Sequence, residues 1–159
     1  MIIYLASKFQ NRMLIKVLRD YLYEKISGIE FTSSWLNSEP STLSKAAQMD
    51  YDEIDKSDIV LAVFPYGSGT TSEMGYALGK GKKVVYFVDR LFFVGLHNSN
   101  SMVKEPLPAG LLYEYFYFDF VENKDKLLEY NGFIVYKMEN LIHCLNDLKI
   151  FYRKLENED

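Results

Sequence analysis

The segment Ile59-Val60-Leu61-Ala62-Val63-Phe64, followed at once by Pro65-Tyr66-Gly67-Ser68-Gly69-Thr70, limits the possible folds more than any other stretch of the chain. Six apolar residues without polar alternation fit a central strand covered on both faces, as in a parallel sheet with helices above and below. The glycine-rich turn then predicts a helix over about 71–80, stopped by Gly79 and Gly81. Upstream, Ile2 to Ala6 reads as a buried strand. Leu14, Val17, Leu18, Tyr21 and Leu22 recur at helical spacing and predict an amphipathic helix ending near Ser27-Gly28. Ile29 to Ser33 follows as a strand. A helix over about 42–56 comes next, with Leu43, Ala46, Ala47 and Ile54 available for its buried face, and Val84 to Val88 is a fourth strand. The order β-α-β-α-β-α-β requires right-handed crossovers. The expected fold class is therefore α/β, a doubly wound parallel sheet of about five strands with helices on both faces.

The second half is less regular. Asp89 to Gly110 is long, polar and rich in turn residues, including His97, and a loop of that length is usually functional. Leu111 to Val121 is an aromatic run without a clear period. Gly132 to Tyr136 predicts the fifth strand, and Leu141, Leu145, Leu148, Tyr152 and Leu155 define a closing amphipathic helix that carries His143 and Cys144. At 159 residues the chain fits one domain, 1–159.

Composition narrows the chemistry. A net charge of -4 disfavours a general nucleic-acid surface. One cysteine, Cys144, rules out an intrachain disulfide or cysteine-rich zinc site and reads as a small buried hydrophobe. Two histidines cannot build a histidine-rich metal centre, and no metal or organic cofactor is indicated. The longest apolar run, Ile59 to Pro65, is too short to span a bilayer, and Met1-Ile-Ile-Tyr-Leu-Ala6 lacks the basic region of a signal peptide. A soluble cytoplasmic protein without membrane or nucleic-acid partners is expected.

In an open parallel sheet, ligands bind beyond the carboxyl ends of the strands. Three loops fall there: Ser7 to Asn11, Ser34 to Ser41 and Tyr66 to Thr70. Gly67 and Gly69 allow close backbone approach, and the N–H groups of the following helix suit an anion. Glu73 stands near that edge. Thr70-Thr71-Ser72-Glu73 also matches a capping box, in which the glutamate would only satisfy the cap. The dinucleotide fingerprint and the P-loop lysine are both missing. Lys80, Lys82 and Lys83 read as a solvated charge cluster around a helix stop. Asp58, at a strand start, reads as structural.

The segment from Asp58 through Glu73-Met-Gly75-Tyr76-Ala77-Leu-Gly-Lys-Gly81-Lys82 resembles the nucleoside 2-deoxyribosyltransferase family, which includes deoxynucleoside 5′-monophosphate N-glycosidases. Ile3-Tyr4-Leu5-Ala6, Asp50-x-x-x-Ile54-x-x-x-Asp58 and Thr32-Ser33-Ser34-Trp35 are similar to further family pieces in order and spacing, so the likeness covers about the first 90 residues. It implies a flavodoxin-like fold and cleavage of the N-glycosidic bond of a deoxynucleoside. Glu73 would be the nucleophile, forming a glutamyl-deoxyribose intermediate. Asp50 would assist departure of the base, and Tyr4 would hold the glutamate carboxylate. A developing sugar cation above a carboxylate and an acid beside the leaving base make that chemistry coherent. The sugar would then pass to another base, or to water in the hydrolase alternative. A non-catalytic nucleotide sensor is a third reading. Ser7, Phe9, Trp35, Gly67, Ser68, Gly69 and Thr70 are the candidate substrate-binding residues, with Phe9 and Trp35 able to stack a base or simply to pack. Two departures stand out. Gly67 replaces the family's sugar-binding aspartate, and Gly110, in Pro108-Ala109-Gly110-Leu111-Leu112, stands where a neighbouring subunit supplies an asparagine. Both leave room for a 5′-phosphate near Ser68 and Thr70. The likeness also implies a homo-oligomer.

Overall fold

The computed structural model describes residues 1–37, 42–64, 66–88, 132–135 and 137–156. Five parallel strands, β1 (Ile2–Ala6), β2 (Glu30–Phe31), β3 (Ile59–Val63), β4 (Lys83–Phe87) and β5 (Gly132–Val135), lie in the order β2-β1-β3-β4-β5. Among the described residues, four α-helices accompany them: α1 (Arg12–Lys25), α2 (Leu43–Lys56), α3 (Ser68–Gly79) and α4 (Met138–Glu156). The expected flavodoxin-like α/β class is observed. Chain direction across the sheet reverses after β2, so right-handed crossovers put α1 on one face and α2 and α3 on the other. Side-chain contacts agree. The Lys149 ammonium of α4 donates to the Ser27 carbonyl just past α1, while Tyr51 of α2 stacks on Tyr76 of α3 with ring centres 4.5 Å apart. The topological switch point, where ligands bind in this architecture, therefore lies between β1 and β3.

Every residue of β3 is buried, as its unbroken apolar run requires. Strand β2 pairs over only two residues, yet its neighbour's edge is completed by other groups. The Thr32 N–H donates to the Ile3 carbonyl, the Ser33 hydroxyl accepts the Leu5 N–H at 2.5 Å, and the Trp35 indole N–H donates to the Leu5 carbonyl at 2.8 Å. Side chains thus satisfy the backbone groups that a longer strand would have paired. Asp58 is structural, as its position suggests. Its Oδ2 accepts the Ile2 N–H at 2.6 Å, and its carbonyl accepts the Tyr152 hydroxyl.

Several expectations need correction. On α1 the buried stripe is Leu14, Ile15, Leu18 and Leu22, whereas Val17 is 61% exposed and Tyr21 lies at the surface. A fraction of a turn of the helical wheel separates the two stripes, and Ile15 supplies the apolar contact assigned to Val17. On α2 only Ile54 of the four apolar candidates is buried, and Leu43 is 91% exposed, because the first turns of the helix overhang the sheet edge. Leu155 is likewise exposed on α4. The lysine cluster is not simply solvated. Lys82 donates to the carbonyls of Asp55 and Ser57. Lys83 belongs to β4, where it is buried with its ammonium 5.7 Å and 5.3 Å from the ring centres of Phe133 and Phe151. Burial pushes that ammonium's pKa down. Cys144 is buried, and burial pushes its thiol well up. His97, Gly110 and the segments 89–110 and 111–121 lie outside the described residues. No helix among the described residues is long and apolar enough to cross a membrane.

Candidate active site

Helix α3 starts at Ser68, three residues before the expected start, with Gly67 as its N-cap. This shift decides how Glu73 is read. The capping-box geometry needs Thr70 at the N-cap and Glu73 at the third helical position. Instead Thr70 is buried inside the first turn and Glu73 sits in the second turn, where no cap remains to be satisfied. Its Oε2 is buried and has no hydrogen-bond partner among the described residues.

Tyr4, in the middle of β1, is fully buried and projects from the sheet beneath α2 and α3. Asp50 lies one turn before the buried Ile54 on α2, so the same face of the helix aims both side chains at the sheet. A helix rises about 1.5 Å per residue, which puts Asp50 and Glu73 at comparable depths, each one to two turns from its helix start. The three groups meet there. Burial, and next the charge of Asp50, push the Glu73 carboxyl up to about 8, against an opposing pull from the Tyr4 hydroxyl. Burial also raises Asp50, with Tyr4 opposing and Glu53 adding to the rise. Tyr4 itself is driven far above the usual phenol range, first by burial and then by Glu73 and Asp50. Its hydroxyl faces both carboxyls without a hydrogen bond of good geometry to either. The buried Tyr4 hydroxyl and Glu73 Oε2 thus meet the half-buried Asp50 carboxyl while lacking a hydrogen-bond partner among the described residues, a state that favours occupancy by a ligand.

The pairing of α2 with α3 holds this arrangement. The Tyr51 hydroxyl is 2.9 Å from the Ser72 hydroxyl, the Tyr76 hydroxyl donates to both carboxylate oxygens of Asp55, and Lys80 lies 3.3 Å from the same carboxylate. The Gly-Tyr-Ala stretch after Glu73 therefore acts partly through Tyr76 as an interhelical clasp.

The rim is built from the other candidates. The Ser7 hydroxyl donates to the Val63 carbonyl at 3.1 Å, joining the first and third loops across the switch point. Lys8 crosses Gly67 so closely that a Cβ at residue 67 would lie 3.2 Å from the Lys8 Cγ. Phe9 is 45% exposed, and its ring centre is 6.5 Å from that of Trp35. Trp35 is half-buried and committed through its N–H to Leu5. Ser68 and Gly69 are exposed in the first turn of α3, whose N–H groups no side chain caps. The sequence reading missed two members. Asn11, at the start of α1, is 6% exposed and its amide nitrogen has no partner among the described residues. Glu53 shares a helix face with Asp50, and the three-residue spacing is the signal that would have found it.

The fold and site define a parallel α/β arrangement with a half-buried carboxyl pair and a buried tyrosine at its switch point. No protein-family model matches the chain, and a comparison with curated proteins gives no match. Solved structures do match. The chain is similar to a Clostridium botulinum CMP N-glycosidase at 20% identity, covering 92% of this chain and 97% of that one, with a TM-score of 0.50. It is also similar to a conserved protein from Enterococcus faecalis V583 at 18% identity, with the same coverages and a TM-score of 0.62. At these identities the likeness establishes the shared fold.

Proposed function

We propose that this chain is an enzyme that cleaves the N-glycosidic bond of a nucleoside or nucleotide, with Glu73 as the nucleophile. The observation that carries the reading is the convergence of Glu73, Asp50 and Tyr4 at the switch point, where the Glu73 Oε2 and the Tyr4 hydroxyl are buried without a hydrogen-bond partner among the described residues. Like-charged carboxyls this close do not both ionise readily, so around neutral pH the pair holds one proton. That is the protonation state the reaction needs, one carboxylate and one acid. Burial favours Glu73 as the holder of that proton, its carboxyl being pushed up to about 8. Positive charge developing at C1′ favours an ionised Glu73, which shifts the proton towards Asp50 and the leaving base. The Glu73 carboxylate then forms an ester at C1′ as the C1′–N bond breaks, and a second displacement releases the sugar with retained configuration. Tyr4, between the two carboxyls, orients Glu73. Transfer to a second base, as in nucleoside 2-deoxyribosyltransferases, and release to water differ only in the acceptor of that second step.

A specific feature favours a 5′-monophosphate substrate and hydrolysis as the second reading. Position 67 has no acidic side chain, a lysine stem lies across it, and the first turn of α3 contains no acid. An anionic group is electrostatically suited to such a place. The similarity to the C. botulinum CMP N-glycosidase points the same way.

The test incubates the protein with deoxynucleosides or their 5′-monophosphates plus a different free base. Exchange products identify transfer, free sugar or sugar phosphate identifies hydrolysis, and binding without products identifies a sensor and overturns the catalytic reading. Glu73→Ala should abolish either activity. Near-unchanged turnover in that variant refutes the nucleophile.

A further inference from the structure

Helix α1 carries an apolar row that the sheet does not use. Met13, Val17 and Tyr21 stand at four-residue intervals on its solvent side, Met13 67% exposed and Val17 61%, and Phe9 extends the row from the preceding turn. Rows at that spacing are the ridges by which helices most often pack against each other. A contiguous exposed apolar ridge marks an interaction site, whereas scattered apolar residues do not. The adjoining row, three residues further on, is Arg12, Lys16, Asp20 and Glu24, and all of them reach solvent. Its order is two cations and then two anions. Asp20 and Glu24 pair with their chain neighbours Arg19 and Lys25, yet their side chains stay 65% and 71% exposed, which leaves each room for a second cation.

We propose that α1 is the interface of a homodimer, in which two copies of this helix pack antiparallel about a two-fold axis at Val17. Under that symmetry Met13 of each chain meets Tyr21 of the other, and the two Val17 side chains meet on the axis. Arg12 and Lys16 of each chain then fall within about one residue of Glu24 and Asp20 of the other, within reach of such long side chains, so opposite charges rim an apolar centre. A parallel arrangement would set like charges together. An unrelated partner would have to reproduce the same succession of signs, so the row selects a second copy of this chain. The apolar ridge offers roughly half of the ~800 Å² that each partner of a standard interface buries, and the charged row adds to it, a size that fits a reversible dimer. Val17 and Tyr21 follow the apolar period of α1 without entering the core, and this contact gives them their use.

The test is analytical ultracentrifugation of the full chain from about 1 to 100 μM, in low salt and in about 0.5 M sodium chloride. A species of two chains should form as concentration rises, and salt should weaken it. Val17→Glu sets like charges on the axis and should raise the dissociation constant at least about 10-fold, with Met13→Glu as the second variant if V17E does not fold. Both residues are exposed, so circular dichroism should show an unchanged fold. Lys16→Glu and Asp20→Lys should each weaken association alone, and mixing the two variant chains should restore it, because each supplies the charge that the other has lost. A repair within one helix cannot produce that result. A chain that stays monomeric throughout, a two-chain species indifferent to V17E and M13E, or variant chains that do not recover on mixing overturns the proposal. None of these measurements uses a substrate, so they stand apart from the glycosidase test.

Discussion

Replacing Glu73 by glutamine should stabilise the protein, and the gain should depend on pH in a defined way. In the folded chain the Glu73 carboxyl is raised from 4.5 to about 8. Unfolding returns it to the ordinary value, so between those limits the folded state holds a proton that the unfolded state has lost. Stability contributed by this group is therefore complete below pH 4.5 and is lost as pH rises towards 8. The difference of about 3.5 units corresponds to about 5 kcal/mol at 1.36 kcal/mol per unit. Water entering an open crevice screens part of this, which leaves about 2–3 kcal/mol as the working figure. Glutamine fills the same volume and never ionises. For a chain of this size the gain converts to roughly 5–10 °C in midpoint. Thermal unfolding followed by circular dichroism from pH 5 to pH 9 is the assay. E73Q should match the unmodified chain within about 1–2 °C at pH 5 and exceed it by about 5 °C or more at pH 9. Parallel curves across that range would refute the reasoning, because they would mean Glu73 titrates like an exposed carboxyl.

Other substitutions probe neighbouring links. Tyr4→Phe removes a hydroxyl that makes no well-formed hydrogen bond, so the unfolding midpoint should stay within about 2 °C while turnover falls about 10- to 100-fold; an equal loss of stability would make Tyr4 a core residue only. Trp35→Phe leaves the Leu5 carbonyl without its indole partner and should lower stability by about 1–2 kcal/mol in urea unfolding, with no change expected if water replaces the donor fully. Gly81 stands at φ +73°, so Gly81→Ala should destabilise by about 1–2 kcal/mol although nothing crowds its Cβ, whereas Gly79→Ala, in the helix, should be neutral or stabilising by the same measurement.

The architecture was largely legible because each of its signals is local. A short unbroken apolar run rich in β-branched residues that ends in a glycine-rich turn fits a doubly covered strand, and β3 is one. The glycines at 67, 69, 79 and 81 marked the ends of α3 to within a turn. The pairing of β2 was harder to read. Ile29 to Ser33 has the composition of a longer strand, but Ser33 and Trp35 replace its last ladder bonds with side-chain bonds, a substitution that propensity does not register. The faces of α1 were misjudged because Ile15 and Val17 are equally apolar, and only the sheet decides between them. At the site, the resemblance to nucleoside 2-deoxyribosyltransferases pointed to Glu73, Asp50 and Tyr4, but whether Glu73 served as a cap depended on a helix start three residues earlier than the pattern implied. The placement of Lys8 over Gly67 rests on a contact between loops distant in sequence, which no local pattern encodes.

The central claim is that a sugar becomes covalently attached to one carboxylate. Rapid-quench mass spectrometry of the protein mixed with a deoxynucleoside or its 5′-monophosphate measures this directly. The account predicts a transient mass increase of one deoxyribosyl or deoxyribosyl-phosphate group, mapped to the peptide carrying Glu73 and absent from E73Q. Cleavage of the substrate with no adduct at any quench time, or an adduct on another residue, would contradict it.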